Sequence, residues 1–324
     1  MESVWLGIDV GGTNVVMALG DRNGNVFAKK RIPTLAADGA ARVLKRIIDA
    51  VEAMLAETGT PISRLGGIGL GVPGLVDAKR GVVRLAVNLN WRQVAVSEVF
   101  HRHFGVPVRV DNDVRAATLG EYQFGAGKGF RHFLCLTLGT GIGSGMLLDG
   151  RIYAGATGSA GEIGHMVVEP EGMACTCGNR GCLETIASGS SLVRFVRERM
   201  ADGVETSLDD GKVLTVERIG SAFDAQDALA REAISRAGKY LGFALANAVN
   251  LLNVERVIIG GGVSLLGGRL FGFIRNEFQR CVLQGVGDGV EIVPAALGDE
   301  AGVVGALVLA RQAAGVPSDK PATT

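Results

Sequence analysis

One pattern occurs twice in this chain of 324 residues: an apolar run, a turn of glycine and threonine, and a second apolar run. The first copy spans residues 4–10, the turn Gly11-Gly12-Thr13-Asn14, and residues 15–19, with Asn23-Gly24 as a hairpin signal beyond it. The second spans residues 133–138, the turn Gly139-Thr140-Gly141-Ile142-Gly143-Ser144-Gly145, and further apolar residues closed by Asp149-Gly150. Two antiparallel strands joined by such a turn present backbone N–H groups as a nest for phosphate oxygens, and Thr13 adds a hydroxyl donor. Asp9, at a strand end, is placed to hold a magnesium ion through water. The first turn alone is a weak signal and reads more readily as an ordinary tight hairpin. The first is not a Walker loop, because it lacks the Lys-Ser/Thr ending and leads into a strand. Both together imply a duplicated architecture that clasps a nucleotide's phosphates from two sides.

The length suggests two domains. Lys plus Arg equals Asp plus Glu at 33 each, and zero net charge argues against nucleic acid or an anionic membrane as the main partner. The N-terminus has no basic region or small-residue cleavage site, so no signal peptide is expected. Residues 241–252 come nearest to a membrane span, but Asn247 and Asn250 interrupt them. Five cysteines, three of them bunched, do not make a disulfide framework, and a reducing cytoplasm is expected.

Residues 40–57 carry apolar positions at helical spacing. Residues 68–72 read as a buried strand, and its turn, Gly71-Val72-Pro73-Gly74, sits where α/β folds bind ligands. Asn88-Leu89-Asn90-Trp91 reads either as a binding loop or as a surface turn. A strand at 106–110 leads through Asp111-Asn112-Asp113 into a helix at 114–122. An acid at that junction is either a helix N-cap or a general base, and Asn112 beside it could bind a hydroxyl. Further helices are expected at 188–200, 215–223 and 225–252, with a polar loop at 201–211. A strand at 257–259 runs into Gly260-Gly261-Gly262, where bare backbone can approach a ring or ribose. A last strand at 292–295, a helix from near Glu300 to Ala313 and a frayed tail from Gly315 complete the chain.

Between the halves lies GEIGHMVVEPEGMACTCGNRGCLE, residues 161–184. Thiolates and imidazole are the ligands zinc prefers, and His165, Cys175, Cys177 and Cys182 make a Cys₃His set. Gly178 and Gly181 allow the tight backbone of a metal knuckle. The alternative, three unrelated thiols, poorly explains three of five cysteines within eight positions. Four protein ligands would make the zinc structural, with no open position for a water nucleophile.

In order, the chain contains DVGGTN, GLGVPGLVD, NLNW, VDNDVRAATLGE, LTLGTGIGSG, GSAGEIGH, CTCGNRGCLETIAS and IIGGGV. With these motifs it resembles the ROK family (repressors, open reading frames and kinases) of the actin-like ATPase superfamily, from Leu6 to Ala313. The stretch around the cysteines is most similar to bacterial ATP-dependent glucokinases.

The resemblance implies a two-domain α/β actin-like ATPase fold with a central cleft, each domain built on a ribonuclease H-like sheet. The expected domains are residues 1–114 with 300–324, and 115–299 with the zinc knuckle. It implies Asp113 as general base, and Gly71, Asn88, Asn112, Glu162, His165 and Glu184 as sugar contacts. Asp9, Gly11, Gly12, Thr13 and Asn14 fall in the first phosphate motif, Thr140 and Gly141 in the second, and Gly260, Gly261 and Gly262 in the adenosine motif. Family members commonly carry Lys or Thr where Asn14 stands, so a charge contribution from that position is not expected. The cofactors implied are ATP, Mg²⁺ and structural Zn²⁺, and a homodimer or homotetramer is expected.

A sugar hydroxyl is a poor nucleophile, so a carboxylate in reach must take its proton during phosphoryl transfer. Glu162 and Glu184, expected to be buried, would accept from hydroxyls and reject deoxy analogues. His165 would use one ring nitrogen for zinc and the other for the sugar. Losing the metal would then disturb the sugar site and affect ATP much less. Two other readings stay open. One is a kinase for mannose, fructose, N-acetylmannosamine or N-acetylglucosamine. The other is a sugar-sensing regulator, disfavoured by the absence of room for a DNA-binding segment before Asp9 and by zero net charge.

Overall fold

The computed structural model describes residues 3–21 and 24–316. Residues 1 and 2, Asn23 of the expected hairpin turn and the tail from 317 lie outside the described residues. The first part of the chain forms β1 (Val4–Val10), β2 (Asn14–Gly20), β3 (Val26–Pro33), α1 (Ala40–Glu57), β4 (Leu65–Val72), β5 (Leu75–Asp77), β6 (Val82–Ala86), β7 (Trp91–Val94), α2 (Val96–Phe104), β8 (Val108–Asn112) and α3 (Asp113–Phe124). Then come β9 (Phe133–Leu138), β10 (Ile142–Leu148), β11 (Arg151–Ile152), α4 (Glu184–Ala187), α5 (Gly189–Ala201), α6 (Val216–Asp224), α7 (Ala228–Leu252), β12 (Arg256–Gly260), α8 (Gly268–Cys281), β13 (Glu291–Pro294) and α9 (Ala301–Ala313).

Two five-stranded sheets share one strand order, β3-β2-β1-β4-β8 and β11-β10-β9-β12-β13. In the first, β1, β2 and β3 form an antiparallel meander, and β4 and β8 add in parallel. In the second, β12 is parallel to both β9 and β13. This repetition is what the doubled glycine–threonine turns imply, and it is the actin-like ATPase arrangement. The chain divides into two compact units: residues up to 130, 145–160 and from 296 onward, and residues 131–144 with 161–295.

The first unit buries its sheet between helices. On α1, Val43, Leu44, Ile47, Ile48, Val51, Met54 and Leu55 form one apolar stripe, packed in a core with Leu6, Ile8, Val10 and Met17. Each such side chain contributes roughly 1.5–3 kcal/mol on full burial. The other face receives α9, whose backbone comes so close that side chains on the strands would not fit. A Cβ on Gly69 would lie 1.9 Å from Ala306 O, and one on Gly7 2.6 Å from Val303 O. These glycines are therefore strand residues cleared for a helix, not turn residues. The unit also includes α3, beyond the boundary expected at 114. At the crossing of α3 and α9, a Cβ on Gly305 would lie 1.7 Å from Ala116 O. The buried Glu121 closes that end, accepting from the N–H groups of Ala126, Ala296 and Leu297 at 2.7, 3.2 and 2.9 Å.

In the second unit, α7 supplies Leu229, Ile234, Leu241, Leu245 and Val249 to the core and packs along α8. Among the described residues, no helix is long and apolar enough to cross a membrane. The small sheet β5-β6-β7, the edge strand β3, and helices α2 and α8 have no counterpart in the expectations drawn from sequence.

Candidate active site

In the first unit, the C-terminal ends of the parallel strands bring the predicted residues together. Asp9, Gly71 and Asp111 stand in register across β1, β4 and β8, and Asn112 pairs with Val72. A Cβ on Gly71 would lie 3.3 Å from Asp113 Cα and 3.5 Å from Asp9 Oδ1, so a small residue there lets the two acids approach. Asn88 lies beside the first glycine turn, 3.6 Å from where a Cβ of Gly12 would be.

The N-cap of α3 is Asn112, not Asp113. Its Oδ1 accepts from the N–H groups of Val114 and Arg115 at 3.0 and 3.1 Å, and its Nδ2 donates to Gly74 O at 3.2 Å. The cap thus engages both ends of the amide that the sequence offered for a sugar hydroxyl. Asp113 is the first helical residue, and its Oδ1 also accepts from the Val114 N–H, at 2.9 Å. Burial pushes its carboxyl above the usual carboxylate range, against backbone hydrogen bonds and the nearby Arg115. Arg115 is itself fixed, donating to Asp111 Oδ1 and to Gly158 O, each at 2.6 Å.

Asp9 is pushed up to about 7, first by burial and then by the negative charge of Asp113. Its carboxylate lies against the first turn of α9, where a Cβ on Gly302 would be 2.4 Å from Asp9 Oδ2. Two close acids, one with so raised a pKa, are chemistry suited to a divalent cation. The same shift makes Asp9 a cost to the fold. Between pH 3.8 and about 7 the folded chain holds this proton more tightly than the unfolded chain, so stability falls as pH rises through that window. Asp9→Asn should therefore melt higher than the parent at pH 8 in magnesium-free buffer and gain nothing at pH 4. Equal melting temperatures at pH 8 would contradict this.

The first turn is held from outside by a residue that the sequence did not flag. Buried Thr34, just past β3, donates its hydroxyl to Gly11 O at 2.7 Å and its N–H to Thr13 O at 2.8 Å. Gly11 N–H closes the turn on Asn14 O at 2.8 Å, and Gly12, Thr13 and Asn14 stay exposed. A hydroxyl residue directly after β3 was the available signal, but it became legible only with β3 in place.

The second unit repeats the device. Ser190 Oγ donates to Thr140 O at 2.9 Å, Gly189 N–H donates to Gly139 O at 2.8 Å, and Thr140 is exposed. Glu184 Oε2 accepts from Ile142 N–H at 2.7 Å, and a Cβ on Gly141 would lie 2.4 Å from that oxygen. Gly260 ends β12 in register with Thr137. Gly261, at φ 84°, lies over the end of β9, where a Cβ would be 2.4 Å from Leu138 O, and Gly262 opens the next helical turn.

The sulfur atoms and imidazole nitrogen of Cys175, Cys177, Cys182 and His165 all lie within 4.8 Å of one another. Cys177 Sγ is 3.7 Å from Cys182 Sγ, and Cys175 Sγ is 3.7 Å from His165 Nδ1. Zinc–thiolate bonds of about 2.3 Å give a tetrahedron edge of about 3.8 Å, so these residues fit zinc. Gly178 and Gly181, at φ 98° and 67°, let the knuckle turn back, with paired bridges Val167–Cys182 and Ala174–Arg180. Burial pushes the Cys182 thiol up to about 12, so its thiolate needs a cation beside it. His165 turns Nδ1 to the thiols and has Nε2 4.0 Å from Glu162 Oε2. Glu162 is exposed and Glu184 half-buried, which corrects the expectation of two buried acids. Glu162 stands exposed just before a short 3-10 turn whose Ile163 and Gly164 are buried, and Glu184 is covered by the glycine turn it holds.

The ROK family profile matches residues 5–313. The chain is 42% identical over 318 residues to a glucokinase of Halalkalibacterium halodurans, covering 96% of both chains. Among solved structures it is similar to a ROK family glucokinase from Streptomyces griseus in complex with glucose and AMPPNP, with a TM-score of 0.80 and 34% identity, covering 96% of this chain and all of that one. It is also similar to a ROK family transcriptional regulator homologous to the E. coli MLC protein, with a TM-score of 0.89 and 29% identity over 97% of this chain and 79% of that one. Profile, identity and strand order agree, and the chain belongs to the ROK family.

Proposed function

We propose that the chain is an ATP-dependent glucokinase that phosphorylates glucose at O6. The observation that carries this reading is Asp113. It is a carboxyl with a raised pKa on the first residue of α3, beside Asp9 at the C-terminal ends of β1, β4 and β8. Asp113 accepts the proton of the 6-hydroxyl as the oxygen–phosphorus bond forms and the bond to the departing ADP breaks. Gly71, Asn88, Glu162, His165 and Glu184 hold the sugar, and Asn112 fixes the start of α3 beneath Asp113. The turns at Gly11, Gly12, Thr13 and Asn14 and at Thr140 and Gly141 receive the phosphates on backbone N–H groups. Gly260, Gly261 and Gly262 leave room for the adenosine.

Asp9 would hold magnesium, which when bound supplies neutralisation of the phosphate charge. His165, Cys175, Cys177 and Cys182 would hold zinc, which supplies rigidity to the loop that carries the sugar ligands. The regulator reading rests on the likeness to the MLC homologue. A panel of hexoses and N-acetylhexosamines with magnesium-ATP, followed by release of ADP, separates the readings. Glucose should give the highest kcat/KM, with the phosphate at O6 by NMR. Turnover confined to an N-acetylated hexosamine or a ketose would replace the glucokinase reading, and sugar binding without turnover would favour the regulator.

A further inference from the structure

We infer that Glu184 is a positioning residue for the nucleotide as well as a sugar ligand, so that one carboxylate couples the two substrates. The inference rests on the proposed roles of Glu184 and of the second glycine turn, and it goes beyond both. Glu184 opens α4, two residues after the knuckle residue Cys182. Its Oε2 accepts from Ile142 N–H at 2.7 Å, at the point where the second turn enters β10. That contact is tight enough to dictate sequence, since any side chain on Gly141 would meet the same oxygen. The segment that follows fastens the rest of the turn through Gly189 to Gly139 and Ser190 to Thr140. Ser191 Oγ in turn donates to Glu184 O at 2.6 Å and fixes the backbone of Glu184. Among the described residues, none donates a hydrogen bond to Oε1, which leaves that oxygen for a sugar hydroxyl.

The consequence follows from the shape of a carboxylate. Its two oxygens are rigidly joined, so a hydroxyl bound at Oε1 fixes Oε2, and Oε2 fixes the N–H of Ile142 and the turn before it. A coupling of this kind is reciprocal: sugar raises nucleotide affinity by the factor by which nucleotide raises sugar affinity. It also predicts an effect with the sugar absent, where electrostatics alone predicts the opposite sign. Removing a negative charge near a phosphate site should strengthen nucleotide binding. Removing the acceptor that holds the turn should weaken it.

The test is calorimetric titration of AMPPNP with magnesium into sugar-free protein, for the parent, Glu184→Gln and Glu184→Ala. Glutamine keeps an acceptor for Ile142 N–H and loses the charge; alanine loses both. Glu184→Ala should bind AMPPNP roughly tenfold more weakly, about the worth of one hydrogen bond. Glu184→Gln should bind it at least as tightly as the parent, and Ser190→Ala, which leaves Glu184 in place, should weaken it several-fold. Zinc content and melting temperature, measured on each variant, identify protein that has lost its fold. Folded Glu184→Ala that binds AMPPNP as well as the parent overturns the inference. A separate glucose titration judges the underlying reading: if both Glu184 variants bind glucose like the parent, Glu184 is not a sugar ligand.

Discussion

Asp113→Asn should lower kcat by about 10²–10⁴-fold, the usual worth of a general base, in a protein that folds like the parent. The structure explains why the fold should survive. Capping of α3 belongs to Asn112, and the buried Arg115–Asp111 pair does not involve Asp113. The change keeps shape and removes only the ability to take a proton, so the KM values for glucose and ATP should move far less than kcat. The pH profile gives a second readout. Burial raises the Asp113 carboxyl, and a base works only when deprotonated, so parental kcat/KM should climb with pH through a window above the ordinary carboxylate range. The residual activity of Asp113→Asn should lack that limb. A variant with near-parental turnover would reduce Asp113 to an acid at the positive end of α3.

Much of this site could be read from the chain because it rests on local chemistry. The glycine–threonine turns, the Cys₃His spacing and the acid at the strand–helix junction are each contained within a few residues, and α1 and β9 have the bounds that periodicity gave. What the sequence could not reveal are contacts made across long separations. Thr34 reads as an ordinary polar residue until β3 places it under the first turn. Gly7 and Gly69 lie within runs that read as strands, but nothing in those runs shows that they and Gly67 are the bed on which α9 lies. Asn112 and Asp113 could not be ranked as cap and base, because either can cap; the geometry of Val114 and Arg115 decides for Asn112. Glu121 would pass for a surface helix residue, though it accepts three backbone N–H groups in full burial. Each of these depends on which segments meet, a tertiary fact that periodicity does not carry.

Cys177→Ser should lose the metal and raise the KM for glucose by at least tenfold. It should also raise the KM for ATP, by less than that for glucose. The parent should carry one zinc per chain by elemental analysis. Cys177 is the exposed ligand, so its replacement disturbs packing least and tests the metal most directly. With the metal gone, Cys175 and Cys182 would be buried thiols with nothing drawing His165 Nδ1 toward them. The 3-10 turn that carries His165 then loosens, and Glu162, which flanks it, moves with it. On the other side, the ladder from Val167 to Cys182 and the bond from Leu183 N–H to Met166 O set the start of α4, and hence Glu184. Glu184 holds Ile142, so the disturbance does not stop at the sugar ligands but reaches the second phosphate turn. Thr34 and the first turn lie in the other unit, so the rise in the ATP KM should be smaller than that for glucose. Active protein without zinc would refute the metal assignment. A Cys177→Ser protein that lost zinc yet kept both KM values would show that the knuckle positions neither site.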